Sequence, residues 1–309
     1  MRSDARPTIV VVGASGYLGR RVTALARVHY RVLATYHSHP LADDDAGTVE
    51  WRPLDVRDGA AIARVVAEAQ PAVVVNCAYV QQGPDVDATT AVAPGLLAEA
   101  AQRVGAQFVQ VSSDVVFAGR SDRPYVEDDE PAPVHDYGRA KSRAEQLVVA
   151  AHRAPLIVRT SLIYGGAVEG PQERLVRAAL AGDDLWFFTD EVRNPIEVDV
   201  LAAAILELVG GAPQGLTRAP VQGRQGQHGL VHVAGADAVD RLTFAKLLAT
   251  AMGADASGLR GRPRQETAGP RPGNLALDCT KARGLLRDTR LTGVREALSR
   301  RGRRSGTGW

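Results

Sequence analysis

The chain has 309 residues with 37 Lys or Arg and 35 Asp or Glu, so its formal net charge is only +2, which gives no reason to expect a nucleic-acid partner. Only two cysteines are present, which argues against a disulfide framework or a zinc site. The segment from Met1 to Pro7 is polar, which argues against a signal peptide, and the lack of an apolar run of about 20 residues argues against a membrane span. We therefore expect a cytoplasmic protein without membrane or metal partners, long enough for one large domain and a smaller one.

Apolar runs bounded by turn residues predict buried parallel strands with helical patterns between them. The strands are expected at Thr8 to Val12, Arg31 to Thr35, Ala72 to Asn76, Gln107 to Ser112 and Pro155 to Thr160, with a weaker candidate at Val49 to Leu54. The helices are expected at Gly19 to Val28, Gly59 to Ala69, Ala88 to Val104 and Gly138 to Ala151. This alternation predicts an α/β fold with a doubly wound parallel sheet. A surface loop is expected at Pro213 to His228 and a disordered tail at Ser299 to Trp309.

The first predicted strand runs into a glycine turn and then into a helix. The turn reads Gly13-Ala14-Ser15-Gly16-Tyr17-Leu18-Gly19. Glycines let a backbone approach a pyrophosphate closely, and the amino terminus of a helix offers free N–H groups to an anion. The spacing G-x-x-G-x-x-G matches the dinucleotide fingerprint only in part, so a purely structural turn is the alternative.

A second candidate site lies where the strand that begins at Gln107 ends in hydroxyl and carboxylate residues. Ser113 and Asp114 come at this point, and ligands of open α/β sheets bind at the carboxyl ends of strands. Ser113 is therefore a candidate hydrogen-bond donor to a reacting oxygen. Its alternative role is to cap a turn.

Tyr137 and Lys141 are four residues apart at the start of a predicted helix, so they share one of its faces. A lysine ammonium about 4 Å from a phenol favours the phenolate by roughly 4 kcal/mol at an effective dielectric of about 20. The pair thus predicts a general acid whose pKa is lowered toward neutrality. An ordinary solvated pair is the alternative. Lys141 is one of three lysines in an arginine-rich chain, which favours the catalytic interpretation.

In this order, the three motifs resemble the extended branch of the short-chain dehydrogenase/reductase superfamily, and within it the dTDP-4-dehydrorhamnose reductase group. The resemblance runs from about Thr8 to Leu298. Its other motifs are Ser112 to Gly119, Pro124 to Asp129, Arg159 to Gly165, Asp190 to Ile196, His232 to Gly235, Leu242 to Ala245 and Arg271 to Asp278. It departs from the group at Val115, where a tyrosine is usual, and at Ala93, where an asparagine is usual. The natural sugar is therefore left open.

The resemblance implies a Rossmann domain at 1–165, also including about 195–210, and a smaller α/β substrate-binding domain made mainly of 166–298. It implies Ser113, Tyr137 and Lys141 as catalytic residues. The implied cofactor-binding residues are Gly13, Ser15, Gly16, Tyr17, Leu18, Gly19, His37, Asp55, Val56, Asn76, Cys77, Ala78, Tyr137 and Lys141. Helix capping by Asp55 and strand packing by the residues near Asn76 are the alternatives.

Cofactor choice depends on the end of the second strand, where NAD-specific folds usually carry an acidic residue. Here the sequence is Tyr36-His37-Ser38, and Arg20 and Arg21 follow the glycine turn. The lack of a carboxylate permits a 2′-phosphate, so NADP(H) is favoured and NAD(H) is possible.

The implied reaction is hydride transfer to the ketone of a nucleotide-linked 4-keto-deoxysugar, with Tyr137 as the acid. Arg193 is the candidate for binding the diphosphate of the nucleotide sugar and Asp114 for binding a sugar hydroxyl. A surface arginine and a turn-capping aspartate are the alternatives. Two other classes stay open: a nucleotide-sugar epimerase, dehydratase or non-sugar ketone reductase, and a non-catalytic NADP-binding regulatory subunit. We expect a monomer or a homodimer.

Overall fold

The computed structural model describes residues 6–41, 48–210, 226–267 and 269–304. Seven parallel strands form one sheet in the order β7-β6-β5-β4-β1-β2-β3. The strands are β1 (Thr8–Val12), β2 (Arg31–Tyr36), β3 (Val49–Pro53), β4 (Val73–Asn76), β5 (Gln107–Ser113), β6 (Leu156–Thr160) and β7 (Gly229–His232). Every predicted strand is present, and the predicted doubly wound fold class is confirmed. The seventh strand was not predicted.

Nine α-helices are described; some connect the strands of the sheet, and others lie in the later part of the chain. They are α1 (Tyr17–Ala26), α2 (Gly59–Ala69), α3 (Ala93–Arg103), α4 (Asp136–Ala151), α5 (Pro171–Leu180), α6 (Val198–Leu208), α7 (Arg241–Ala251), α8 (Thr280–Leu285) and α9 (Val294–Arg304). The helix predicted from Ala88 is divided, since a π-helical segment at Asp87–Val92 precedes α3. None of the described helices is long and apolar enough to cross a bilayer.

The sheet is covered on both faces, which is why its strands read as continuous apolar runs. On one face, Val22 of α1 and Leu201 of α6 pack with Val11 of β1. On the other, Ile62 of α2 and Leu97 of α3 pack in a second cluster with alternate strand residues. Because both faces are closed, the carboxyl edge of the strands is the exposed place for a ligand.

A third apolar cluster lies outside the sheet and is built by α5, α7 and α9. Val294 and Leu298 of α9 are buried in it. The helix continues to Arg304, so residues 299–304 of the predicted disordered tail are helical, and the prediction is wrong for those six residues. Residues 305–309, and most of the predicted loop at Pro213 to His228, lie outside the described residues.

A buried ion pair fastens α4 to the sheet. Glu145 of α4 accepts from Arg159 Nε of β6 at 2.9 Å and Nη2 at 2.7 Å, and from Ser112 Oγ of β5 at 2.5 Å. The two charged side chains are only 3% and 7% exposed. The pair fixes the helix that carries Tyr137 beside the strand that carries Ser113.

Replacing Arg159 with Met leaves the Glu145 charge buried without a partner, so we expect the free energy of unfolding to fall by about 3–5 kcal/mol. The double variant Arg159→Met, Glu145→Met removes both charges, and we expect it to recover much of that loss. Urea unfolding measures both. The control is Arg103→Met, which breaks the exposed pair with Glu99 and is expected to cost less than about 1 kcal/mol. Equal losses in Arg159→Met and Arg103→Met would contradict the anchoring role.

Candidate active site

The glycine turn brings the end of β1 against the start of α1. Gly13 has a φ of +73°, and a Cβ at Gly19 would lie 2.1 Å from the Gly13 carbonyl oxygen. Gly16 is the N-cap of α1, no side chain caps the helix, and no acidic residue lies in its first turn. The first-turn N–H groups have no partner within a helix. This helix end is thus suited to hold a phosphate group.

A cavity of about 650 Å³ opens at the carboxyl ends of the strands. Residues from the glycine turn, from the ends of β4 and β5, and from α4 line it. Among these lining residues are Gly16, Tyr17, Leu18, Gly19, Cys77, Ser113, Tyr137 and Lys141. The three predicted catalytic side chains therefore share one cavity with the start of α1. Segments after residue 160 close the opposite side.

Ser113 ends β5 and also caps the short 3₁₀ turn at Asp114–Val116. Its hydroxyl donates to Asp114 Oδ1 at 3.1 Å and accepts weakly from the Val115 N–H at 3.4 Å. Ser113 therefore caps a turn, as its alternative interpretation holds, and it also lines the cavity.

Tyr137 and Lys141 lie on one face of α4, near its start. His135 Nδ1 accepts from the Gly138 N–H at 3.0 Å and caps the helix. Lys141 Nζ lies 5.8 Å from the centroid of the Tyr137 ring and donates to the Val111 carbonyl oxygen at 3.0 Å. Lys141 is 3% exposed. Its ammonium group is therefore buried beside the Tyr137 ring.

The pKa values differ from the prediction made from spacing. Burial raises the pKa of Tyr137 above its ordinary value, with smaller contributions from Tyr79 and Asp114. Burial also lowers the pKa of Lys141 to about 8. The prediction that Lys141 lowers the pKa of Tyr137 toward neutrality is wrong for this arrangement, because removing both groups from water disfavours their charged forms.

Asp114 and Arg193 form a buried ion pair with each other. Asp114 is fully buried and accepts from Arg193 Nε at 2.6 Å and from Ser161 Oγ at 2.6 Å, while Arg193 Nη2 contacts its other oxygen. Arg193 Nη1 also lies 3.1 Å from Glu191. Asp114 is thus not exposed to a sugar hydroxyl, which corrects that prediction. Arg193 lines the cavity, but two carboxylates balance its charge.

Sequence reasoning missed several polar residues that line the cavity, among them Tyr79, Gln81, Arg241 and Arg271. Tyr79 and Gln81 follow the carboxyl end of β4, so the rule that selected Ser113 also applies to them. Burial lowers the pKa of Arg241 to about 10. Arg271 begins one of the stretches that fit the family, whereas Arg241 lies outside them. Neither was assigned to the site from sequence, because the fold brings both there from distant segments.

Of the other predicted cofactor residues, Cys77 lines the cavity, whereas Asn76, Ala78, Gly13 and Ser15 are not among the residues that line it. Asn76 is buried, donates to Gln110 Oε1 at 2.9 Å and accepts from the Ala78 N–H at 3.0 Å, so it shapes the turn that carries Cys77. Burial raises the pKa of the Cys77 thiol to about 12. Gly13 lies against Ala78, and Ser15 accepts from Arg20 at 3.2 Å through its carbonyl oxygen.

His37 and Asp55 meet at the ends of β2 and β3, next to the buried Val56. His37 Nε2 lies 3.9 Å from Asp55 Oδ2, and Arg57 Nη2 lies 2.7 Å from the same oxygen. The hydrogen bonds from Arg57 lower the pKa of Asp55 to about 2. Arg21 is paired elsewhere, with Asp199 of α6 at 2.5 Å.

In the described part of the chain, no three His, Cys, Asp or Glu side chains converge to hold a metal ion.

The sheet order, the glycine turn and the Ser–Tyr–Lys set define a Rossmann-type protein of the short-chain dehydrogenase/reductase class. The model of the family described as "RmlD substrate binding domain" matches residues 7–301, and the chain belongs to that family.

The chain is similar to named relatives over most of its length. A dTDP-4-dehydrorhamnose reductase of Mycolicibacterium smegmatis is 33% identical over 287 residues, covering 89% of this chain and 79% of the relative. Methionine adenosyltransferase 2 subunit beta of Mus musculus is 28% identical over 314 residues, covering 94% and 86%. A crystal structure of the Bacillus anthracis dTDP-4-dehydrorhamnose reductase in complex with NADP has a TM-score of 0.76 at 22% identity, covering 96% and 98%. The predicted family resemblance is confirmed.

The buried amine of Lys141 makes stability depend on pH. Its pKa falls from 10.5 to about 8 on folding, so at pH 7 burying the charge costs on the order of 3 kcal/mol. As the pH rises from about 8 to 10.5, the folded protein loses this charge before the unfolded chain does, and the penalty disappears. The free energy of unfolding of the wild type should therefore rise relative to Lys141→Met across this window.

The measurement is urea unfolding of the wild type and Lys141→Met at several pH values from 7 to 10.5. Lys246→Met is the control, because Lys246 lies exposed on α7. The difference in free energy of unfolding between the wild type and Lys246→Met should stay nearly constant across these pH values. If the difference between the wild type and Lys141→Met also stays constant, the burial of the Lys141 charge is contradicted.

Proposed function

We propose that the protein reduces the ketone of a nucleotide-linked 4-keto-deoxysugar with NADPH. The observation that carries the proposal is the single cavity that holds the start of α1 together with Ser113, Tyr137 and Lys141. The name of the Mycolicibacterium smegmatis relative supports a dTDP-linked keto sugar as the substrate. The NADP in the Bacillus anthracis structure supports the cofactor.

The residues present fit a nicotinamide dinucleotide. The glycines leave no room for side chains between the turn and α1, and the helix start is free of caps and of acidic residues. This helix start would hold the pyrophosphate, and His37, Asp55 and Val56 would lie toward the adenosine. NADP(H) is favoured over NAD(H), because β2 does not end in a carboxylate and Arg57 neutralises Asp55. When bound, the cofactor supplies the hydride.

Tyr137 donates its proton to the oxygen of the ketone as negative charge develops there. The Ser113 hydroxyl, which donates to Asp114 in the structure, turns from Asp114 and donates to the same ketone oxygen. The raised pKa of Tyr137 keeps the phenol protonated at neutral pH, as a general acid requires. The Arg193 charge and the Gln81 side chain, which hydrogen-bonds Tyr137, favour the phenolate. We assign a further contribution to the Lys141 ammonium group, which lies 5.8 Å from the Tyr137 ring centroid. Lys141 therefore helps at the moment of proton transfer rather than by ionising Tyr137 beforehand.

The segments after residue 165, mainly 166–298, would bind the nucleotide sugar. Arg271 lines the cavity and suits a diphosphate, because one guanidinium group binds two phosphate oxygens. Arg241 lines the cavity as well, but its Nη1 lies 3.7 Å from Glu191, which partly balances its charge. We assign Asp114 and Arg193 to holding this wall in place, since each charge already has a partner within the chain.

A non-catalytic regulatory subunit is the second candidate. The similarity to methionine adenosyltransferase 2 subunit beta, over 94% of this chain, favours it. Such a protein would bind the cofactor without turning over a keto sugar.

The test is NADPH oxidation against a panel of dTDP-4-keto sugars, with NADH in parallel. We expect turnover with at least one sugar and a preference for NADPH. Tyr137→Phe should still bind NADPH but reduce the sugar about 100- to 10,000-fold more slowly, because it lacks the acidic proton.

The matched control is Tyr30→Phe, which removes a hydroxyl from a buried tyrosine just before β2, at the opposite end of the sheet. It should leave turnover unchanged. NADPH binding without oxidation by any sugar would favour the regulatory subunit. Unchanged turnover in Tyr137→Phe would remove Tyr137 from the mechanism.

A further inference from the structure

Tyr79 presents an exposed aromatic ring inside the candidate active site. The residue follows β4 and lines the same cavity as Ser113 and Tyr137. The residue is 49% exposed, and its ring centroid lies 5.9 Å from that of Tyr137 at an interplanar angle of 47°. An aromatic surface therefore stands directly beside the proposed proton donor.

The same ring covers the buried ammonium group of the site. Lys141 Nζ lies 5.2 Å from the Tyr79 centroid and 5.8 Å from the Tyr137 centroid, so the cation is near the faces of both rings. Such contacts are favourable when the cation is removed from water. They orient the Tyr79 ring and leave its remaining surface toward the cavity.

The backbone beneath the ring is fixed. Thr90 Oγ1 accepts from the Val80 N–H and donates to the Val80 carbonyl oxygen, both at 2.8 Å. Thr90 is buried within the π-helical segment before α3, and π-helical turns are frequent at functional sites. Tyr79 is thus held on a preformed wall rather than on a free loop.

We propose that Tyr79 is a specificity-determining residue, whose ring packs against the C–H face of the deoxysugar next to the reacting carbonyl. This inference rests on the proposed function. A deoxysugar has fewer hydroxyl groups than the parent hexose and more apolar surface, which an aromatic ring covers at little desolvation cost. The contact needs the ring and not the hydroxyl of Tyr79.

The test is calorimetric binding of dTDP and of a dTDP-linked 6-deoxyhexose to the wild type, Tyr79→Phe and Tyr79→Leu. Phe keeps the ring, and Leu keeps apolar volume without it. We expect Tyr79→Phe to bind both ligands like the wild type. Tyr79→Leu should bind the nucleotide sugar roughly tenfold more weakly, in line with the loss of an aromatic contact, and should bind dTDP and NADPH unchanged.

Several outcomes would overturn the proposal. If Tyr79→Leu weakens the binding of dTDP as much as that of the nucleotide sugar, the ring contacts the nucleotide. If it weakens the binding of NADPH, the ring contacts the cofactor. Wild-type protein that binds the nucleotide sugar no better than dTDP would show that the sugar has no subsite here. If the wild type gains affinity from the sugar but never oxidises NADPH, the reductase proposal fails, while the Tyr79 comparison still decides the role of the ring.

Discussion

The candidate site depends on a lysine ammonium group that is almost fully removed from water. Lys141 is surrounded by the Val111 carbonyl oxygen and the rings of Tyr79 and Tyr137. Burying a charge in this way is unfavourable unless other contacts offset it. The Glu145 carboxylate offsets part of this cost, because its charge favours the charged form of Lys141 and so opposes the lowering of the Lys141 pKa by burial. Glu145 also pairs with Arg159, which holds α4 against β6. A costly arrangement kept at a strand edge is typical of a functional site.

In the proposed mechanism, the geometry explains how an acid, Tyr137, and a cation, Lys141, act together. In water, a nearby lysine would mainly lower the pKa of a tyrosine. In this cavity both groups are removed from water. Burial therefore raises the pKa of Tyr137, which stays protonated, and lowers the pKa of Lys141 to about 8. The interaction between them therefore counts most when the proton leaves, since a phenolate beside a poorly hydrated cation is strongly stabilised.

Much of this was predictable from sequence, because it depends on local pattern. The strands follow from apolar runs, the glycine turn from spacing, and the shared face of Tyr137 and Lys141 from helical periodicity. The Asp114–Arg193 pair was not predictable, since it joins residues far apart in the chain. The direction of the Tyr137 pKa was also missed, because spacing gives the distance to a charge but not the degree of burial.

The central claim is a buried amine at the active site, and the most direct test is NMR titration of the lysine side chains. The chain has only three lysines, Lys141, Lys246 and Lys281, so selective labelling gives few signals. The account predicts one signal that titrates near pH 8, the value to which burial lowers the Lys141 pKa, and that is missing from Lys141→Met. A Lys141 signal that titrates near the ordinary lysine value of about 10.4 would contradict it.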